Sequence, residues 1–197
     1  MKAAEAGDLK KVNRLLRAGA QVNARTTSGK TALHYAAQSK NVRVVEALIR
    51  ADADVNAKAD GNVTPLILSL DMASGDPSIA LQLIGAGADI QTADANGDTA
   101  LTIATTESSL EVTKALLERG ANPNARGLGG RTALHLAAMN AMLDQAQVLL
   151  DHGADPNIRD AEGRSAIDVA STTNPDPRIQ ANFQTVRKLL SEASHRN

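Results

Sequence analysis

The chain repeats one motif at a nearly constant step, and this repetition constrains the fold more than any other feature. Gly-Lys-Thr-Ala-Leu-His-Tyr-Ala-Ala at residues 29–37 returns as Gly-Arg-Thr-Ala-Leu-His-Leu-Ala-Ala at residues 130–138. The hydroxyl residues that align with this motif are separated by 33, 35, 33 and 33 residues, and they are Thr31, Thr64, Thr99, Thr132 and Ser165. Gly-Ala, or Asp-Ala in one copy, keeps the same step near the end of each unit. Two markers in one register predict a repeat architecture, in which each unit buries its apolar face only against its neighbours.

Composition limits the core and the classes of partner. Hydrophobic residues make up 43% of the 197 residues but aromatic residues only 1%, which predicts a core of Ala, Leu, Val and Ile between closely stacked helices. The net charge of −1 argues against a general polyanion binder, and we therefore expect no nucleic-acid partner. The absence of Cys excludes disulfides and Cys-based zinc sites. The sequence lacks a run of 18 apolar residues, which would predict a membrane span, and it does not begin with a signal-peptide pattern.

Each unit reads as two helices. The hydroxyl residue is a favoured helix N-cap, and apolar residues follow it at helical spacing. We place the units at about 1–25 (partial), 26–58, 59–93, 94–126, 127–159 and 160–193. The partial unit starts within its first helix, so we expect that helix to be very short and an upstream segment to have been removed. The last unit ends in a helix over about 178–192, with Ile179, Phe183, Val186 and Leu190 on one face, which caps the array.

The second full unit departs from the pattern. Its step of 35 residues places two extra residues in the stretch 71–77, where we expect the loop between helices to bulge. Asn62 stands where other copies have a turn Gly, and Asp52 stands where other copies have the Gly that ends a helix. Both residue types tolerate a positive φ better than most, so we expect both turns to be kept.

The motif Gly-x-Thr-(Ala/Pro)-Leu-His-x-Ala-Ala, followed by Val-Val-x-x-Leu-Ile/Leu and Gly-Ala-Asp/Asn-x-Asn, resembles the ankyrin repeat over residues 3–193. The resemblance implies an all-α solenoid of stacked helix pairs with protruding hairpin loops, as one domain over 1–197. It also implies a non-catalytic module that binds another protein through its concave surface and hairpin tips. His34 and His135 resemble the structural His of the family, which hydrogen-bonds the neighbouring backbone.

The contact positions of the family, carried over to this chain, are rich in cations. Seven of the ten residues at the end of each unit and just before each capping hydroxyl are basic, and they are Arg25, Lys30, Lys58, Arg126, Arg131, Arg159 and Arg164. This distribution favours a partner with an acidic surface at the finger edge. The alternative is a self-compensated row of charges, since acidic residues such as Asp60, Asp160 and Glu162 lie near the same tips.

Apolar residues at solvent-facing positions are a second indicator of a binding surface. Val63 and Leu128 fall at hairpin tips, while Met72 and Met139 fall near the ends of first helices. The alternative for Met72 is packing between adjacent repeats. The predicted partner-binding set is therefore Lys30, Lys58, Val63, Met72, Arg126, Leu128, Arg131, Met139, Arg159 and Arg164.

The residues offer no catalytic constellation. His34 and His135 lie three units apart and cannot share a metal. Residues 94–98 imitate the start of a calcium loop but lack its Gly and its final Glu, and the Gly-rich stretch 127–130 follows no strand that would make it a phosphate cradle. We expect no enzyme activity, no cofactor and no metal.

Two other functions stay open. The chain could bind a small ligand or assist an enzyme through a pocket at the irregular second repeat, or it could be the recognition module of a longer effector or regulatory chain. We expect a monomer. A cytoplasmic location is the default expectation, with export after removal of an upstream segment as the alternative.

Overall fold

The computed structural model describes residues 1–70, 76–107, 109–170 and 177–195. The chain divides into two compact units, Met1–Ala95 and Asn96–Asn197. Within the described ranges each unit contains six α-helices in three antiparallel pairs, and neither contains a β-strand. This is the architecture of an all-α solenoid, as the family resemblance implies.

The first unit stacks its helices in two layers. Its first helices are α1 (Lys2–Glu5), α3 (Ala32–Gln38) and α5 (Pro65–Ser69), and its second helices are α2 (Leu9–Arg17), α4 (Val42–Arg50) and α6 (Ser78–Gly85). The middle pair contacts both neighbours, since α3 packs against α1 and α5 while α4 packs against α2 and α6. The shortness of α1, four residues, matches the expected partial first helix.

The second unit repeats this arrangement. Its first helices are α7 (Ala100–Thr106), α9 (Ala133–Met139) and α11 (Ala166–Val169), and its second helices are α8 (Leu110–Glu118), α10 (Leu143–Asp151) and α12 (Pro177–Ser194). The last helix is a little longer at both ends than the predicted 178–192. Phe183, Val186 and Leu190 are buried as predicted, whereas the side chain of Ile179 lies outside the described residues. None of the helices among the described residues is long and apolar enough to cross a membrane.

The recurring hydroxyl residues are the N-caps of the first helices. Thr31, Thr64, Thr99, Thr132 and Ser165 all have extended backbone conformations and immediately precede a helix. The Oγ1 of Thr64, for example, accepts a hydrogen bond from the N–H of Ile67 at 3.3 Å, which satisfies one of the unpaired donors of the first turn.

The core is aliphatic and closely packed. The Leu that follows each Thr motif is at most 1% exposed in four repeats, and these residues are Leu33, Leu66, Leu101 and Leu134. The Ala-Ala pairs at 36–37 and 137–138 are fully buried. Small side chains at these positions let adjacent first helices approach closely, which explains how a core forms with one Tyr and one Phe.

Two non-Gly residues take left-handed conformations where the other repeats use Gly, as predicted. Asp52 has φ +60° after α4, and Asn62 has φ +59° in the turn before α5. At the end of α4 the N–H groups of Asp52 and Ala53 donate to the carbonyls of Ile49 and Leu48. This pattern satisfies the last helical carbonyls and ends the helix.

Candidate protein-binding surface

The segments that precede the first helices form protruding turns, which we call fingers. Four of them lie inside the two units, at residues 26–30, 59–63, 127–131 and 160–164. In each finger the N–H of the first residue donates to the carbonyl of the fifth, at 2.8 to 2.9 Å. Neighbouring fingers are also joined, because the N–H of Asp60 donates to the carbonyl of Ser28 and the N–H of Ala161 donates to that of Gly129. The predicted hairpins are therefore tight turns linked to one another.

Arginine side chains join successive fingers. The Nη1 of Arg25 donates to the carbonyl of Lys58 at 2.8 Å, and the Nη1 of Arg126 donates to the carbonyl of Arg159 at 2.7 Å. Each bond reaches 33 residues along the chain, one repeat step. The two guanidinium groups thus connect neighbouring repeats at the finger edge.

The two motif histidines are buried and make the same contacts with the capping Thr and with the following repeat. The backbone N–H of Thr31 donates to Nδ1 of His34 at 3.1 Å, so Nδ1 carries no proton and Nε2 donates to the carbonyl of Val63 at 3.0 Å. His135 makes equivalent bonds to Thr132 and to the carbonyl of Arg164. Burial is the largest influence on both rings and lowers the pKa of each. The structural role that the resemblance implies is present.

An asparagine ladder that the sequence pattern did not predict supports the base of the fingers. Asn23 accepts from the N–H of Asp54 at 2.7 Å and donates to the carbonyl of Asp52 at 3.1 Å. Asn56 and Asn124 bridge to the following repeat in the same way. The recurrence of Asn at a step of 33 residues between 23 and 56 was the signal that could have revealed this role.

A carboxylate fixes the last finger. The side chain of Asp160 is 1% exposed and accepts from the N–H groups of Glu162 and Arg164, and it also accepts from the guanidinium of Arg164 at 2.9 Å. Burial alone would raise the pKa of Asp160, but these hydrogen bonds and the charge of Arg164 lower it to about 2. Arg131 lies on the other side, 3.9 Å from the same carboxylate oxygen and 3.6 Å from Glu162.

Most of the predicted cations therefore already have partners. Lys30 donates to Gln38 at 3.1 Å and lies 5.7 Å from the centre of the Tyr35 ring. Arg159 donates to the carbonyl of Gly163 and lies 3.7 Å from Asp168. Lys58 differs from them, because its exposed side chain has no hydrogen bond or ion pair within the described part of the chain, while its carbonyl accepts from Arg25.

The predicted apolar residues differ in exposure. Leu128 is 64% exposed at the tip of its finger, as expected for a hairpin tip. Val63 is half-buried rather than fully solvent-facing, and its carbonyl accepts from Nε2 of His34. Met139, the last residue of α9, is also half-buried, and Met72 lies outside the described residues. Leu15 on α2 is the other large hydrophobic side chain that is exposed in the described part of the chain, at 41%, and the sequence pattern did not predict it.

Other chemistry has little support in the described residues. No group of three or more His, Cys, Asp or Glu side chains among them could hold a metal ion. Most of the stretch 71–77, where we expect the loop to bulge and where the alternative function places a ligand pocket, lies outside the described ranges.

Comparison with known proteins points to one family. Models described as ankyrin repeats match residues 1–74 and 68–160, and a second ankyrin-repeat model matches residues 134–190. A solved ankyrin repeat domain from Acinetobacter baumannii is 30% identical, with a TM-score of 0.83 over 98% of this chain and 95% of that one. A chain from a complex of a predatory endopeptidase of Bdellovibrio bacteriovorus with an immunity protein is 29% identical, with a TM-score of 0.80 over 97% of this chain and 95% of that one. No curated protein matches the sequence.

Proposed function

The chain belongs to the ankyrin-repeat family, and from that premise we propose that it is a non-catalytic module that binds a partner protein through its fingers and first-helix surface. Repeat proteins of this class have extended surfaces rather than deep clefts, and such surfaces suit recognition of another protein. We also propose that it acts as a monomer and as one domain over 1–197.

The exposure of Leu128 carries this proposal. Leu128 is 64% exposed, and a partner that covers it would gain the free energy of removing its apolar surface from water. Its turn is held in place, since the backbone N–H of Leu128 donates to Oδ1 of Asp98 at 3.1 Å and the N–H of Gly130 donates to the carbonyl of Gly127 at 2.9 Å. A side chain presented on a fixed turn loses little conformational entropy on binding. Leu128 is therefore the proposed centre of the contact.

The charged residues around Leu128 form a rim of both signs. The heads of Arg126, Arg131 and Arg164 are engaged within the fold, and Glu162 is 59% exposed beside them. An apolar centre with a polar rim is the usual anatomy of a protein interface. The partner facing this rim would need both signs of charge, so an acidic surface alone is not the best match here.

The structural similarity suggests which partner class to test first. One similar chain occurs in a complex that contains an endopeptidase and an immunity protein. We therefore propose an endopeptidase as the first candidate partner, with binding and loss of peptidase activity as separate readouts.

The test compares Leu128→Asp with Leu15→Asp, which makes the same change at the other exposed leucine. Both variants and the wild type would be immobilised and exposed to lysate of the source cell, and retained proteins would be identified by mass spectrometry. We expect one protein to be retained by wild type and by the Leu15 variant, and to be lost with the folded Leu128 variant. Arg131→Glu is unsuitable as a probe because it would place a second carboxylate beside Asp160.

A photo-crosslinking residue at position 128 gives an independent readout. Crosslinks to the retained protein would support the proposed centre. Retention that is equal in both leucine variants, without crosslinks from position 128, would show that the finger surface is not the contact.

A further inference from the structure

Positive charge is concentrated at one end of the sequence. Residues 1–50 contain 10 Lys and Arg but 3 Asp and Glu, whereas residues 51–197 contain 11 and 19. The net charge of −1 therefore conceals a strongly basic start and an acidic remainder. The basic start corresponds to the first two helix pairs.

The sign of the charge depends on the repeat at two positions of the second helix. The first position is that of Lys10, the second residue of α2. The residues that align with it in the later repeats are Arg43, Ser78, Glu111 and Asp144. Seven residues later stand Arg17, Arg50, Gly85, Glu118 and Asp151. The charged members of both series are exposed. Two positions of the repeat thus change from basic to uncharged to acidic in register, which scattered surface charge would not produce.

The cations on α2 and α4 differ from those of the fingers because most have no partner. Lys10, Lys11, Arg14, Arg17 and Arg43 are all exposed, and no ion pair or side-chain hydrogen bond engages them within the described part of the protein. The ion pair on this surface joins Arg50 to Glu46 at 2.6 Å. Five such cations on two adjacent helices create a local positive potential that a partner can use.

Two of these side chains, Lys10 and Arg43, line a groove between the starts of α2 and α4. The groove has a volume of about 540 Å³, and Lys10, Lys40 and Arg43 lie along it with Asp8 and Asn41. Asp8 is occupied as a cap, since it accepts from the N–H of Lys11 at 2.9 Å, and Lys40 donates to the carbonyl of Ser69. Packed helices lie about 8–10 Å apart, so Lys10 and Arg43 can contact neighbouring carboxylates of one extended segment.

We propose that this outer face of α2 and α4, defined by Lys10, Lys11, Arg14, Arg17 and Arg43, binds an acidic segment of a protein. The proposal goes beyond the finger surface and does not depend on it. The surface does not suit single-stranded nucleic acid, because the chain has two aromatic residues, Tyr35 and Phe183, and neither is on this face. It is a poor match for insertion into a bilayer, since Val12 of α2 is buried in the core and Leu15 is the one large apolar side chain that is exposed on this helix.

The test uses a fluorescently labelled decaglutamate peptide and the intact chain. Lys10→Glu/Arg43→Glu reverses two charges on the proposed face, and Lys114→Glu/Lys188→Glu makes the same net charge change at exposed lysines of α8 and α12. We expect peptide affinity to fall by about tenfold in the first variant and to change less than about twofold in the second. Binding should also weaken as salt rises from about 50 to about 300 mM.

Several results would overturn the proposal. They are absence of peptide binding to the wild type at low salt, equal weakening in both variants, and tighter binding of duplex DNA or of vesicles with anionic lipid than of the peptide. Sedimentation of the protein without peptide would measure whether the chain self-associates through this face. Self-association that is lost in Lys10→Glu/Arg43→Glu would assign the face to a second copy of the chain instead. None of these results bears on Leu128, so failure here and failure of the finger proposal are distinguishable.

Discussion

The finger edge and the outer face of α2 and α4 are both rich in Lys and Arg, yet their cations are in different states. At the fingers, Arg126 is bonded to a carbonyl one repeat away and Arg164 to a buried carboxylate. On the outer face, Arg14 and Arg17 are exposed and have no such partner among the described residues. The difference shows that a cation's availability depends on which acceptors the next repeat places within reach. Most finger cations are engaged within the fold, whereas most outer-face cations remain available for binding.

The largest loss of stability is expected from removing a buried side chain that hydrogen-bonds to the next finger. His135→Ala deletes the acceptor for the N–H of Thr132 and the donor to the carbonyl of Arg164, and it leaves a cavity at a fully buried site. We expect a loss of about 3 kcal/mol in the free energy of unfolding, measured by urea denaturation. His152→Ala, at an exposed helix end, is the control and should change stability by less than about 0.5 kcal/mol. Similar losses in both variants would contradict the assigned role of His135.

A stability loss of intermediate size should distinguish an arginine that is bonded between fingers from an exposed arginine of the outer face. Arg126→Ala removes the bond to the carbonyl of Arg159, and we expect it to cost about 0.5–1 kcal/mol, a modest value because the side chain is exposed. Arg14→Ala removes an exposed cation of the outer face and should leave the free energy of unfolding unchanged within about 0.5 kcal/mol. If Arg14→Ala cost as much as Arg126→Ala, the division between structural and available cations would fail.

A smaller effect is expected from pH. The pKa values of His34 and His135 are lowered in the folded protein, mainly by burial. As pH falls below about 6.5, the unfolded chain therefore binds protons that the folded chain does not, and the unfolding free energy should decrease. The variant His34→Thr/His135→Thr, which copies Thr102 of the third repeat, should show a flatter stability profile between about pH 7 and pH 5. An unchanged slope in this variant would show that other groups cause the pH dependence.

Much of the fold could be predicted because the repeat step fixes it. Thr31 and its equivalents mark helix starts, and the positions of Asp52 and Asn62 imply left-handed turns, which the structure contains. The helix ends were less predictable, since the last helix runs from Pro177 to Ser194 rather than over 178–192. Fraying at the end of a helix is set by local packing that a repeat pattern does not encode.

The candidate site was predictable only in part. Leu128 could be placed at a finger tip from register alone, and its exposure follows. The engagement of Arg126 could not be foreseen, because its acceptor is a backbone carbonyl, and every residue type supplies one. The cation cluster on α2 and α4 was missed for a related reason, since its positions lie outside the contact positions that the family resemblance supplied.

The arginine bonds between fingers involve two kinds of position. One position donates through its side chain, and the other accepts through its main chain. Arg25 donates to the main chain of residue 58, so the identity of that residue can change without loss of the bond. The same holds for the bond from Arg126 to the main chain of residue 159, although a change at 159 also removes the bond from the Arg159 side chain to the carbonyl of Gly163. A combinatorial library could therefore diversify positions 58 and 159 to alter specificity, provided that Arg25 and Arg126 are kept constant as part of the scaffold.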